Sequence, residues 1–392
     1  MSSFMKITIE EQAVIDQLNE RTINDVTPKM LEDKTLFYRF AKARDFNIEE
    51  AESMLRKHIA WRKEMKLDTF LTDYKPPEVL QKYFPSCILG YDKEGSVVRY
   101  QDFGRIDVKS IWHAAKKTDL YKFGVQLVEQ DVELSRQQAK KNGKFSMKSV
   151  YIDNLEGLTF ANATDKKSIE TLIQFFKTYT DNYPETLKYV FVINAPVYFN
   201  ILFSVIKPIL PPIVIQKIRV YGTSGWKKPL LESIDADELP AFLGGNKTDP
   251  DGDPLCKTFI KHGRPIPECY FLCNIKKTLA SAPNAEKLNV ARSSKEEICF
   301  EIEKDSCIDL EFETKNRDIG FTVLFKENTL QDPVEFIPYE RTDTCYGPEK
   351  CFLKCNNAGI YTILFDNSYS WMHPKEVYYR IKITALQDSE SH

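Results

Sequence analysis

Histidine is scarce in this chain of 392 residues: it occurs five times, at 58, 113, 262, 373 and 392, with no two close enough in sequence to suggest a paired site. The signatures of common catalytic sites are missing as well. There is no GxSxG nucleophile turn (YGTSGW at 221–226 comes near it with the wrong spacing), no GxxxxGK[ST] phosphate loop, no GxGxxG and no HExxH. Nothing specific supports an enzyme, and no catalytic residue, metal or cofactor is expected. No apolar run reaches the roughly 20 residues of a membrane span. The N-terminus, MSSFMKITIEEQAVIDQL, lacks the apolar core of a signal peptide and soon carries acids, so the expected place is the cytosol. A strong charge bias is also lacking: the net charge of −3 argues against a general nucleic-acid binder.

Paired cysteine motifs are absent too. Seven of the nine cysteines lie after residue 268, at 269, 273, 299, 307, 345, 351 and 355, yet no CxxC pair exists and the count is odd. Cys351 and Cys355 stand four apart with no histidine nearby, which is poor zinc spacing. Free, mostly buried thiols are the expectation.

What is present is a change of texture along the chain. Residues 8–66 read as helices, most clearly NIEEAESMLRKHIAWRK, where Asn47 can cap, Glu50 follows three residues later and Ile48, Ala51, Leu55 and Ile59 share one face. The same helix carries Arg56, Lys57, Arg62 and Lys63, a basic face that is either solvated or placed to meet anionic headgroups. From about residue 88, strand and helix patterns alternate. SVVRYQDFG (96–104), KSVYID (148–153), KYVFVINAP (188–196) and IRVYG (218–222) read as strands; 119–134 and 164–180 read as helices. That order predicts a mainly parallel sheet covered by helices, with YVFVI buried on both faces. NKTDPDGDP (246–254) consists of turn formers and marks a boundary. Beyond about 290, strict alternation in Ile308/Leu310/Phe312, Ile319/Phe321/Val323/Phe325, Tyr361/Ile363/Phe365 and Val377/Tyr379/Ile381/Ile383 predicts an antiparallel β-sandwich.

One stretch fits neither texture. FSVIKPILPPIVIQKI (203–218) has nine aliphatic or aromatic residues in sixteen, interrupted by Pro208, Pro211 and Pro212. It is too short and too broken to span a membrane. Its composition suits either ordinary core or a movable apolar cover over a cavity whose walls are mostly apolar.

Five ordered segments then carry a resemblance: FYRFAKARDFNIEEAESMLRKHIAWRK (37–63), YDKEGSVVRYQDFGRID (91–107), NYPETLKYVFVINAPVYFN (182–200), IKPIL with QKI (206–218) and LPAFLGG (239–245). Together they resemble the CRAL-TRIO lipid-binding proteins, which include the yeast phosphatidylinositol/phosphatidylcholine transfer protein. DIGFTVLF (318–325) and FDNSYSWMHPKEVYY (365–379) resemble a GOLD domain, and the combination is similar to the animal supernatant protein factor, or tocopherol-associated protein, subfamily.

The resemblance implies four regions: an N-terminal helical region (1–75), an α/β lipid-binding domain with an apolar pocket (76–246), a linker (247–275) and a GOLD β-sandwich (276–387). It also implies non-catalytic transfer of a lipid such as a tocopherol, squalene or phosphatidylinositol, with transient membrane contact and a protein partner for the GOLD domain. An adaptor or lipid-sensing regulator acting through that domain is the alternative.

Residues 198–216 match the mobile gate of the family, with Ile209, Leu210, Ile213, Val214 and Ile215 expected at the membrane surface. Tyr151, Phe175, Tyr179, Val190, Val192, Phe199, Phe203 and Ile206 match pocket-lining elements. Arg44, Glu185 and Lys217 match a headgroup-binding set, or alternatively a structural salt-bridge cluster, and Asp45 stands where phosphoinositide binders usually carry a base. IDNLEGL (152–158) has one residue more than the usual DxEG turn.

Overall fold

The computed structural model describes residues 7–143, 147–274, 279–315, 318–344 and 347–385, and the chain divides into two compact units, Met1–Ile266 and Pro267–His392.

The first unit begins with helices. Ile9–Thr22 starts at a capping box in which Thr8 and Glu11 bond each other's backbone N–H. Ile48–Glu64 starts where the Asn47 side chain accepts from the Glu50 N–H at 3.2 Å. Ala51 and Leu55 on that helix are fully buried with Leu18 and Phe40, and Ile48 and Ile59 pack against them, as the periodicity predicts. The basic face does not stay whole. Arg62 is buried and bonds Glu129 at 3.0 Å and Asp68 at 3.1 Å, so it ties this helix to the helix Lys117–Asn142.

The five strands that follow are β1 (Ser86–Tyr91), β2 (Val97–Gln101), β3 (Ser149–Asn154), β4 (Leu187–Ile193) and β5 (Ile218–Val220). They lie in the order β1-β2-β3-β4-β5; β1 is antiparallel to β2 and the rest are parallel. β1 shows no alternation in its sequence because a bulge falls between Ile88 and Gly90. Gly90 there has φ of +145°, and a Cβ would stand 2.3 Å from the Glu238 carboxylate.

Alternation gives the sheet two faces. Val98, Tyr100, Val150, Ile152, Phe191 and Ile193 form one, fully buried under Trp226, Leu230, Ile234, Leu239, Leu243, Cys256 and Ile260. Two expectations change here. The stretch 247–266, expected as linker, is packed chain: Cys256 and Ile260 enter this core, and the Gly263 and Ile266 N–H groups donate to Asp102 and Asp107. YVFVI is not closed on both faces, because Val190 on the opposite face is only half-buried.

The second unit holds β6 (Glu286–Val290), β7 (Lys295–Ile302), β8 (Ser306–Thr314), β9 (Asp318–Lys326), β10 (Val334–Asp343), β11 (Glu349–Cys355), β12 (Gly359–Asp366) and β13 (Lys375–Ala385). They form two four-stranded antiparallel sheets, β10-β9-β12-β7 and β11-β8-β13-β6. Inward residues of both sheets, among them Ile308, Leu310, Phe312, Val323, Ile363, Phe365 and Val377, make one core. Ile383 departs from its alternation and is exposed near the end of its strand. Cys87, Cys256, Cys269, Cys299, Cys307, Cys351 and Cys355 are free thiols; Cys256, Cys307 and Cys355 are buried, whereas Cys269 and Cys299 are exposed. The Cys273 side chain and Cys345 lie outside the described residues.

Candidate functional site

The second face of the parallel sheet differs from the first. Its residues, in register across the strands, are Arg99, Tyr151, Val190 and Ile218 in one row and Gln101, Asp153, Val192 and Val220 in the next. At the β2 side the helix Lys117–Asn142 closes it. Arg99 and Asp131, both almost fully buried, form an ion pair at 2.7 Å, and the Tyr151 hydroxyl donates to Asp131 at 3.0 Å. Towards β4 and β5 the cover is incomplete. Tyr151 and Asp153 are only half-buried there.

The facing wall is the amphipathic helix Lys166–Asn182, capped by Asp165 accepting from the Ser168 N–H. Its apolar residues Ile169, Leu172, Ile173, Phe175 and Phe176 are all only half-buried, and full burial returns at Tyr179 near its end. A stripe of this strength normally packs completely against a core. Here it faces a sheet that is itself half-covered, and Phe175 and Tyr179 meet Tyr151 and Val190 between the two.

The third wall is the proline-broken stretch. It is a helix Phe199–Ile206, a tight turn Lys207–Ile209 and one further helical turn Pro212–Ile215, interrupted where Pro208, Pro211 and Pro212 cannot continue the hydrogen-bond ladder. Phe199 and Phe203 stack with ring centroids 5.8 Å apart and pack inward with Leu155, Val192, Leu202 and Ile218. Outward, Val197, Ile201, Val205, Ile209 and Ile213 follow one another every four residues and are 40–90% exposed.

Of the expected lining, Tyr151, Phe175, Tyr179 and Val190 meet in one apolar cluster, Val190, Val192, Phe199 and Phe203 in a second, and Ile206 is buried. Among the expected membrane-facing residues, Ile209 and Ile213 are exposed and Ile215 is half-buried. Leu210 and Val214 are placed otherwise: Leu210 is buried and Val214 packs beside Tyr179 and Val190, because the prolines rotate the last turn. Val197, Ile201 and Val205 belong to the outer surface, and their spacing of four was the unread signal.

Charged groups gather at the N-terminal ends of the parallel strands. Glu185 precedes β4 with φ of +60° and pairs with Lys42 at 3.2 Å. Lys217 precedes β5. Burial lowers its pKa, Lys148 and Lys42 add repulsion, and Glu185 opposes them. Thus Glu185 and Lys217 are brought together, but the third member is Lys42, not Arg44. The helix Leu36–Lys42 ends before Arg44, and Asp45 and Phe46 both adopt left-handed backbone, so the chain turns away. Arg44 bonds the Ala43 carbonyl at 2.8 Å and lines a surface groove with Glu49, Glu50, Ser53 and Lys57. Lys42 lay two residues away in the same quoted segment.

The unusual turn after β3 is held by Asn154. Its amide donates to the Tyr100 hydroxyl at 3.0 Å and to Asp102 at 3.3 Å, and its carbonyl oxygen accepts from the Glu156 N–H and from Asn194.

Comparison with known proteins places this geometry. Residues 81–245 match the CRAL/TRIO domain. Protein ctg-1 of Caenorhabditis elegans is 27% identical over 379 residues, 95% of this chain and 97% of that protein. The phosphatidylinositol/phosphatidylcholine transfer protein SFH4 of Arabidopsis thaliana is 32% identical over 246 residues, 62% of this chain and 40% of that protein. Protein real-time of Anopheles gambiae is 28% identical over 62% of this chain and 36% of that protein, so this chain spans less than half of the latter two relatives. The crystal structure of Sfh5 aligns with a TM-score of 0.45 at 16% identity, covering 72% of this chain and all of that one. Residues 81–245, which match the CRAL/TRIO domain, hold the half-covered sheet, the amphipathic wall and the proline-broken cover.

Proposed function

We propose that the protein binds one hydrophobic lipid in a chamber between the half-covered sheet, the helix Lys166–Asn182 and the proline-broken cover of its CRAL/TRIO-like region, and carries it between membranes without changing it chemically. The observation that carries this reading is the pair of opposed, half-buried apolar walls under a cover that is apolar on both its inner and outer sides. Moving such a cover from lipid to bilayer exchanges one apolar environment for another, so its displacement costs little. Lys42, Lys148 and Lys217 are the candidate contacts for a phosphate-bearing headgroup, since an anion there would relieve their mutual repulsion. The name of the Arabidopsis relative, a phosphatidylinositol/phosphatidylcholine transfer protein, supports that headgroup class.

No helix among the described residues is long and apolar enough to cross a membrane. The reading places the protein in the cytosol with transient membrane contact. The sandwich, which resembles a GOLD domain, is assigned to docking. Its Trp371 and Met372 are 82% and 72% exposed, which also favours the second reading, an adaptor or regulator acting through this unit. The test is transfer of labelled lipid from donor to acceptor vesicles by the full chain. Stimulated transfer at substoichiometric protein supports the carrier. Stoichiometric binding to membranes with no transfer supports the adaptor.

A further inference from the structure

Asp153 is out of keeping with its surroundings. It lies on the chamber face of the central strand β3, and its register neighbour Val192 packs with Leu155, Phe199 and Phe203. Its Oδ1 is buried without a hydrogen-bond partner, and among the described residues no ion pair or hydrogen bond engages the carboxyl. Arg99 on the same face pairs with Asp131 of the covering helix, which also accepts from the Tyr151 hydroxyl. Burial alone pushes the Asp153 carboxyl up to about 7. Asn154 explains the placement: by holding the turn on the opposite face, it fixes Asp153 towards the chamber.

A buried polar group with no partner is costly, and one in a ligand chamber is completed by the ligand. Asp153 stands five residues along the strand from Lys148, roughly 16 Å at about 3.3 Å per residue. It is therefore at the far end of β3 from Lys148, and its row lies three residues beyond that of Lys217. A phospholipid anchored by its phosphate at those lysines would lay hydrocarbon against Asp153 and leave it unsatisfied.

We propose that Asp153 is a specificity-determining residue that selects a lipid alcohol as cargo, its carboxyl exchanging a hydrogen bond with the ligand hydroxyl. Gln101, its register partner on β2, places an amide on the same face. The inference rests on the lipid-binding reading above and adds to it a chemical class of ligand and an orientation. A neutral carboxyl offers both a donor and an acceptor, which a hydroxyl complements; a hydrocarbon complements neither.

The experiment offers the full chain radiolabelled hexadecanol, hexadecane or hexadecylamine in phosphatidylcholine vesicles and measures uptake. The wild type is expected to prefer hexadecanol to hexadecane about tenfold or more. Asp153→Asn, neutral and hydrogen-bonding, is expected to keep that preference within a few-fold, and Asp153→Leu to abolish it and gain hexadecane. Equal uptake of alcohol and alkane by the wild type overturns the inference while leaving lipid binding intact, as does a preference for the amine or an unchanged ratio in Asp153→Leu. The wild-type ratio alone suffices if the leucine variant does not fold. Failure to take up any probe or any vesicle phospholipid overturns the lipid-binding reading and this one with it.

Discussion

Replacing Ile201 and Val205 together by aspartate tests the outer surface of the cover. Both are close to half exposed, so bilayer contact would bury about half a side chain of each. Full burial of such a side chain is worth about 1.5–3 kcal/mol, so each contributes about 1 kcal/mol. Losing both removes about 2 kcal/mol, or roughly a 30-fold fall in partition, before any cost of bringing carboxylates to the interface. Surface substitutions of this kind change folding stability by only about 0.5 kcal/mol, so thermal unfolding should hardly move. The assay is vesicle flotation alongside transfer, at low and high salt. Apolar contact predicts that both fall together and that the deficit persists at high salt, where exposed charges are screened. Unchanged flotation and transfer would refute the assignment of this stripe to the membrane. Ile209 and Ile213 should behave alike, whereas Val214→Asp should unfold the unit in part because Val214 packs inside.

Two further outcomes follow from the charged groups. Lys217 has a lowered pKa in the folded protein, so the unfolded chain binds the proton more readily and stability rises as pH climbs through the lowered value towards 10.5. Lys217→Met should therefore raise the melting temperature of the empty protein at neutral pH, flatten that alkaline rise, and weaken uptake of phosphatidylinositol more than of hexadecanol; equal loss of both would point to a purely structural cluster. His58, buried against Asn182 at 3.1 Å, has its pKa lowered to about 3, first by burial and then by Arg62. It is neutral in the fold, so its contribution is complete above its ordinary value of 6.5 and is lost as pH falls towards 3, by up to about 1.4 kcal/mol per pH unit. Denaturant titrations at pH 7, 5 and 4 should show a shallower acid loss in His58→Gln than in the wild type, and parallel losses would contradict this.

How much of this was legible depended on range. Period-two alternation marked Ile308, Leu310 and Phe312, and period 3.6 marked Ala51 and Leu55, because each pattern is set by neighbours along the chain. The apolar wall at Leu172, Ile173 and Phe176 was readable as an amphipathic helix, but not that its stripe would stay half-covered, which depends on what packs opposite. Lys42 rather than Arg44 meets Glu185 because the helix ends between them in two left-handed residues, which no local propensity announces. Arg62 looked like part of a surface face; its partners Glu129 and Asp68 lie on other elements. Cys256 and Ile260 follow a run of turn formers, yet the exposed edge of a core drew them in. Asp153 was one acid among many until the register of β2, β3 and β4 set it on the chamber face.

The most direct test of the central claim is native mass spectrometry of the freshly purified full chain, followed by extraction and identification of whatever is bound. The account predicts one lipid molecule per chain, with Asp153→Leu shifting its identity away from hydroxyl-bearing species. A chain that carries no lipid, and acquires none after incubation with vesicles, would contradict it.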